Sequence, residues 1–247
     1  MKKQTLFFAA FLIAAMSTAF AQKVVNVDSF DKVIVSPHIE VTFVQGETES
    51  VTIENSLVDD SKLNIEVEGK TLRVYLDGTK NIPKQKKVYV DGRKMKRPLY
   101  KGTQVTATIT YIAVDEYSLR GEEDMTFQSP IEQEKLRLKI YGESEVSFTE
   151  LQLEELHTTI YGESTLMVNA GSIGEQKIVA YGESKIDMTQ IENRKSRLTA
   201  YGEAEFELNT SDLIKITAYG EASVGYTGSP DVKKGLSFGE VKIYTLD

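Results

Sequence analysis

The sequence predicts an all-β protein whose C-terminal half is a parallel β-solenoid of about 20 residues per coil, on three observations. A Gly-Glu pair recurs seven times, at Gly121, Gly142, Gly162, Gly182, Gly202, Gly220 and Gly239, with steps of 21, 20, 20, 20, 18 and 19 residues. In five of the seven, Tyr precedes the pair and Ser or Ala follows it. Apolar and polar residues alternate on both sides of each corner, the period of a half-buried strand. No stretch reads as an amphipathic helix, and only residues 58–64 are ambiguous.

Residues 1–21 read as a signal peptide. Lys2 and Lys3 precede the apolar run Leu6 to Met16, and Ala19-Phe20-Ala21 forms a cleavage site before Gln22. The run is too short to span a bilayer, which takes about 20 residues. The mature chain is therefore expected to be exported, to the periplasm or the cell surface, without a transmembrane segment. Two lysines leave with the leader, so 27 basic residues face 37 acidic ones, a net charge of −10. That balance argues against a nucleic-acid binder. The chain has no cysteine, so neither a disulfide nor a thiolate is available.

Residues 22–103 read as an irregular β-rich part, packed on the solenoid or continuous with it in a single domain. Short β-branched runs, Val33 to Val35, Ile39 to Val44, Val51 to Ile53, Leu63 to Val67 and Leu72 to Leu76, are separated by turn signals such as Gln45-Gly46 and Asp77-Gly78. Residues 80–102 form a basic insertion in which Lys84, Lys86, Lys87, Arg93, Lys94, Lys96 and Arg97 face one acid, Asp91. It is a solvated connection carrying a short hairpin near Lys87 to Val90, or a patch for an anionic partner such as a phosphorylated glycolipid or an acidic polysaccharide.

Residues 104–247 carry the repeats, with Val105 to Tyr111 as the first strand and Pro130 and Pro230 marking loops. Before the second corner Leu136, Leu138 and Ile140 share one face of a strand; after it Ser144, Val146 and Phe148 do. The same inner positions recur as Ser164, Leu166, Val168, then Ser184, Ile186, Met188, and so on down the chain. The first of them is always Ser or Ala in the five best repeats, as a tight bend requires. Each repeat is thus a strand, a sharp corner, a second strand and a looser return. A hairpin series would not hold the same residues at the same phase, and Tyr-Gly-Glu is not a favoured hairpin turn.

Stacking aligns equal residues. Tyr141, Tyr161, Tyr181, Tyr201 and Tyr219 are expected to form a ladder between Arg120 and Phe238. Glu143, Glu163, Glu183, Glu203 and Glu221 form a second one, with Glu122 and Glu240 at its ends. Carboxylates about 5 Å apart repel by roughly 1 kcal/mol in water. Backbone N–H groups at the corner, shared cations or splaying into solvent would each relieve that repulsion. The two ladders together are a candidate binding surface, with rings stacked on a sugar or another flat ligand.

Nothing in the sequence points to a cofactor or a metal-ligand set. His38 and His157 have no partner motif, and no nucleophile elbow, metalloprotease helix or phosphate loop occurs. Ser at the corner gives way to Ala in two repeats, which suits packing rather than chemistry.

A leader, a β-rich opening from Phe30 through Val41-Thr42-Phe43 to the Gly69-Lys70-Thr71-Leu72 turn, and Gly-centred repeats of about 20 residues together resemble the GIN-domain family. That family is the head domain of putative autotransporter adhesins in Bacteroidetes-type bacteria. The resemblance covers residues 26–247 and implies a right-handed β-helix at the cell envelope, with no established catalytic residue. The expected function is a non-enzymatic, adhesin-like or envelope protein that binds a glycan, an envelope component or a protein. A carbohydrate-active enzyme with an acidic cluster off the repeat phase is the alternative, as is a structural protein associating through its solenoid edges.

Overall fold

A computed structural model describes residues 22–80, 85–90 and 93–246. Residues 1–21, expected from sequence to be a signal peptide, and Lys84 lie outside the described residues, as do the side chains of Lys86, Arg93 and Lys94. Among the described residues the chain is nearly all strand, and its one helical turn is the 3-10 turn Asp60–Lys62 in the stretch that was ambiguous in sequence.

The N-terminal strands are β1 (Lys23–Asn26), β2 (Lys32–Val35), β3 (Ile39–Gln45), β4 (Ser50–Ser56), β5 (Leu63–Glu68) and β6 (Thr71–Leu76). After a separate hairpin of β7 (Gln85–Val90) and β8 (Arg93–Pro98) come β9 (Val105–Tyr111), β10 (Glu116–Gly121) and β11 (Met125–Phe127). The array continues with β12 (Ile131–Gly142), β13 (Glu145–Phe148), β14 (Leu151–Gly162), β15 (Thr165–Val168), β16 (Gly171–Thr227), β17 (Asp231–Phe238) and β18 (Val241–Thr245). In β16 extended backbone runs through several coils without a break.

Two parallel ladders build the solenoid, one on each side of the corner. Ahead of it, Gly121 pairs with Gly142, Gly142 with Gly162, and Tyr161 with Tyr181. Beyond it, Phe43 pairs with Phe127, Phe127 with Phe148, and Phe148 with Val168. The return expected to be loose is itself in register: Ile131 pairs with Leu151 and Leu151 with Gly171. Each coil therefore has three paired runs.

Coils begin well before the first Gly-Glu corner. β2 and β3 form one, in register with β10 and β11 through Val35–Leu119 and Val41–Met125. β6 and β9 form another on its far side, through Val35–Val74 and Ile39–Val105. Thus Val105–Tyr111, expected to open the repeats, completes a coil begun by Thr71–Leu76, and the basic insertion occupies that coil's corner. The 32–45 coil is slotted between two coils that follow it in sequence. Antiparallel strands cover this end, with β5 on β6, β4 on β9 and β1 on β4.

One hydrophobic core runs the length of the stack. Phe43, Phe127 and Phe148 stack face to face with centroids 4.3 and 4.0 Å apart, and Val168, Met188 and Leu208 continue the buried series. At the corners Ser144, Ser164, Ser184, Ala204 and Ala222 are all buried. The serines do more than fit: Ser164 Oγ donates to Gly142 O at 3.0 Å and Ser184 Oγ to Gly162 O at 3.3 Å. Those carbonyls stand exposed to the tightest part of the bend, and a hydroxyl there supplies a second donor.

Candidate functional site

The corner glycines are what bring the two side-chain ladders into line. At Gly162 φ is +121°, and a Cβ there would stand 2.1 Å from Gly142 O. Only glycine allows that backbone and that approach. In return the next amide pairs up the stack: Glu143 N donates to Gly121 O at 3.0 Å and Glu163 N to Gly142 O at 2.9 Å.

The tyrosine ladder forms with little deviation. Ring centroids from Tyr141 to Tyr219 are 5.1, 4.5, 4.8 and 4.9 Å apart and the planes differ by 2–4°. Arg120 closes one end, its guanidinium 5.5 Å from the Tyr141 centroid, and Phe238 the other, 5.8 Å from Tyr219. Tyr161, Tyr201 and Tyr219 remain 41, 39 and 37 % exposed. This packing changes what the ladder offers. Each ring face is covered by its neighbour, so rings stacking flat on a sugar, as expected from sequence, find no free face. What remains is a ribbon of ring edges with one phenol per coil. Burial and the neighbouring Tyr161 and Tyr201 push the Tyr181 phenol up, so it stays a neutral donor and acceptor.

Beside it the carboxylates of Glu143, Glu163, Glu183, Glu203 and Glu221 are exposed. The corner amides at Glu143 and Glu163 go to glycine carbonyls of the preceding coil, so splaying into water is the relief the geometry shows. Glu163, Glu183, Glu203, Glu221 and Glu240 line a shallow groove of about 430 Å³ floored by the buried Ser and Ala residues. Among the described residues, no three of His, Cys, Asp and Glu converge as a metal site would need.

A second concavity, of about 700 Å³, opens at the Arg120 end and is bounded by Pro37, His38, Tyr100, Glu123 and Tyr141. Glu123 is buried; its Oε2 accepts from Glu122 N at 3.0 Å and its Oε1 lies 3.7 Å from His38 Nδ1. His38, at φ +75°, donates from Nδ1 to Gly102 O at 3.0 Å, which fixes that nitrogen as the protonated one. Sequence reasoning passed over this pair. The signal was present, because the first corner reads Arg120-Gly121-Glu122-Glu123, with a carboxylate where later corners have Ser or Ala.

The basic insertion stands apart. β7 and β8 pair with each other, setting Lys87 opposite Lys96 and Lys86 opposite Arg97, with Lys87, Lys96 and Arg97 exposed. At the base of the insertion, Lys101 borders the second concavity together with Tyr141, the first ring of the ladder.

Residues 29–230 match the family model described as "Putative auto-transporter adhesin, head GIN domain". The chain belongs to this family. Solved structures share the fold. A putative adhesin from Bacteroides fragilis NCTC 9343 superimposes with a TM-score of 0.74 at 16% identity, over 91% of this chain and 96% of that one. One from Parabacteroides merdae ATCC 43184 gives 0.64 at 17%, over 92% and 96%. A structure from Parabacteroides distasonis ATCC 8503, described as a putative lipid binding protein, gives 0.62 at 16%, over 92% and 96%. At these identities the likeness is one of fold. No protein of curated function matches the sequence.

Proposed function

We propose that this GIN-domain protein is exported to the outer surface of the cell and binds, without turning over, a repetitive glycan of the envelope or its surroundings along the tyrosine–glutamate corner. The observation that carries this reading is the ribbon of five stacked tyrosines, one per coil, with Tyr161, Tyr201 and Tyr219 exposed and Tyr141 and Tyr181 half-buried. Stacking of this kind adds about 0.5–1.5 kcal/mol per pair. A Phe at these positions would stack as well, so a tyrosine at every step is best understood as a row of hydrogen-bonding groups. The glutamates add a parallel row of acceptors, and together they suit a polymer whose hydroxyls recur along its length. Membership of an adhesin family and the leader-like N-terminus support export.

The test is a triple variant, Tyr161→Phe, Tyr181→Phe and Tyr201→Phe, which keeps the stack and removes three hydroxyls. Binding to a panel of neutral oligosaccharides should weaken about tenfold or more while the melting temperature holds. Unchanged affinity would remove the phenols from recognition.

One observation favours a second reading. The His38–Glu123 pair supplies, in a concavity, a buried carboxylate where the next five corners carry Ser or Ala, an acid set apart from the repeated row as a carbohydrate-active enzyme on this fold would require. Release of reducing ends from acidic polysaccharides, abolished in Glu123→Gln, would establish it; no release is the expected result.

A further inference from the structure

Four residues before each ladder tyrosine, on the same outward face of the strand, stand Arg137, His157, Lys177, Arg197 and Lys215. Pairing puts them in one column: Arg137 lies opposite His157, His157 opposite Lys177, and Lys215 opposite Lys233. All but the half-buried His157 are exposed. Arg197 reaches Glu175 at 2.6 Å and Lys233 reaches Asp231 at 2.9 Å. Among the described residues Arg137, Lys177 and Lys215 make no ion pair.

The fold does not ask for this column. Like charges directly opposite one another on adjacent strands destabilise a sheet. The chain has 37 acidic residues and only 29 basic ones, so a row of cations is not what its composition favours. Two residues nearer the tyrosines the outward positions are Lys139, Thr159, Val179, Thr199 and Thr217, so four of the five show that small neutral residues serve on this face. Burial first, and then the charges of Lys135, Lys177 and Arg137, depress the His157 pKa against the pull of Glu155, so His157 is the neutral member of the column.

We infer that this column is a track for an acidic polysaccharide, one carrying carboxylates along a linear chain, laid parallel to the solenoid axis. The inference rests on the proposed function only in placing a glycan on this face. Six positions at about 4.8 Å per coil make a line of about 24 Å, and the tyrosine ribbon runs beside it about 13 Å away. A linear chain meets the column and little else. A planar anionic membrane would also meet the exposed glutamate row, which repels it. Single-stranded nucleic acid needs free aromatic faces for its bases, and here the rings cover one another.

The test uses the mature full chain with an oligogalacturonate probe, a neutral malto-oligosaccharide of the same length, and vesicles containing phosphatidylglycerol. Wild type should bind oligogalacturonate with an affinity that falls as salt rises. Lys177→Thr with Lys215→Thr, which breaks no ion pair, should weaken it about tenfold, while Lys87→Thr with Lys96→Thr on the hairpin should leave it unchanged. The track is overturned if wild type does not bind the probe, if the column variant binds it normally, if the hairpin variant is the one that loses it, or if vesicles are held as tightly through the column. The tyrosine-to-phenylalanine triple variant separates the two proposals. Retained oligogalacturonate binding there leaves the track standing, while the tyrosine role stands or falls on the neutral oligosaccharides alone.

Discussion

At the scale of single residues, the corner glycines are the positions the architecture can least replace. A methyl at Gly162 would drive into the Gly142 carbonyl, and φ of +121° is closed to other L-residues. Gly162→Ala should cost about 2–4 kcal/mol, read from chemical denaturation, whereas Gly69→Ala, with nothing within 4 Å of the added carbon, should cost less. The glutamates invite the opposite experiment. Among the described residues Glu143, Glu163, Glu183, Glu203 and Glu221 have no ion-pair partner, so Glu183→Gln should raise the melting temperature at low ionic strength. The gain should vanish as salt screens the row. Equal melting temperatures at all salt concentrations would mean that the carboxylates do not repel at this spacing. Both ladders were legible in the sequence, since phase alone stacks Tyr on Tyr and Glu on Glu. That the ring faces are covered was not, because it depends on all five side chains sharing one rotamer direction. The His38–Glu123 contact was equally hidden, as it joins two coils whose stacking order departs from chain order.

At the scale of elements, Glu116 ties the N-terminal coil to the array. Its carboxylate lies 2.7 Å from Lys32 on β2 and 2.8 Å from Lys139 on β12. Burial works to raise its pKa, but the hydrogen bonds from Lys139 and Lys32 outweigh burial and hold it below the ordinary value. Stability gained from a depressed carboxylate is complete above the unfolded pKa and is lost as pH falls through the folded one. Glu116→Gln should therefore lower stability at pH 7 by about 1–3 kcal/mol, and the difference from wild type should shrink once pH drops well below about 4.5. Urea titrations across that range check it; a difference independent of pH would mean that Glu116 acts by packing alone. Deeper in, Phe148 sits on Phe127 at 4.0 Å, and Phe148→Ala should cost about 3–5 kcal/mol. The later coils could be read in sequence because each carries the same corner at the same step. The first two could not. One turns at Pro37-His38 without a Gly-Glu pair, and the other is split by the insertion between Leu76 and Val105.

At the scale of the whole molecule, the two ends differ. Antiparallel strands cover the coil of β6 and β9, whereas the last coil leaves Leu236 and Phe238 each 63% exposed. Between the ends runs one face carrying a cationic column, a strip of small residues, a tyrosine ribbon and a glutamate row, all repeated at the coil step. The proposed binding of a polymer along this periodic surface requires the surface to lie outside the cell. The chain contains no cysteine, which makes orientation directly measurable. A single Glu203→Cys at the exposed corner, treated on intact cells with a membrane-impermeant maleimide, should be labelled while a periplasmic control cysteine is not. Labelling of Cys at position 203 only after the outer membrane is opened would contradict surface display and, with it, the adhesin reading.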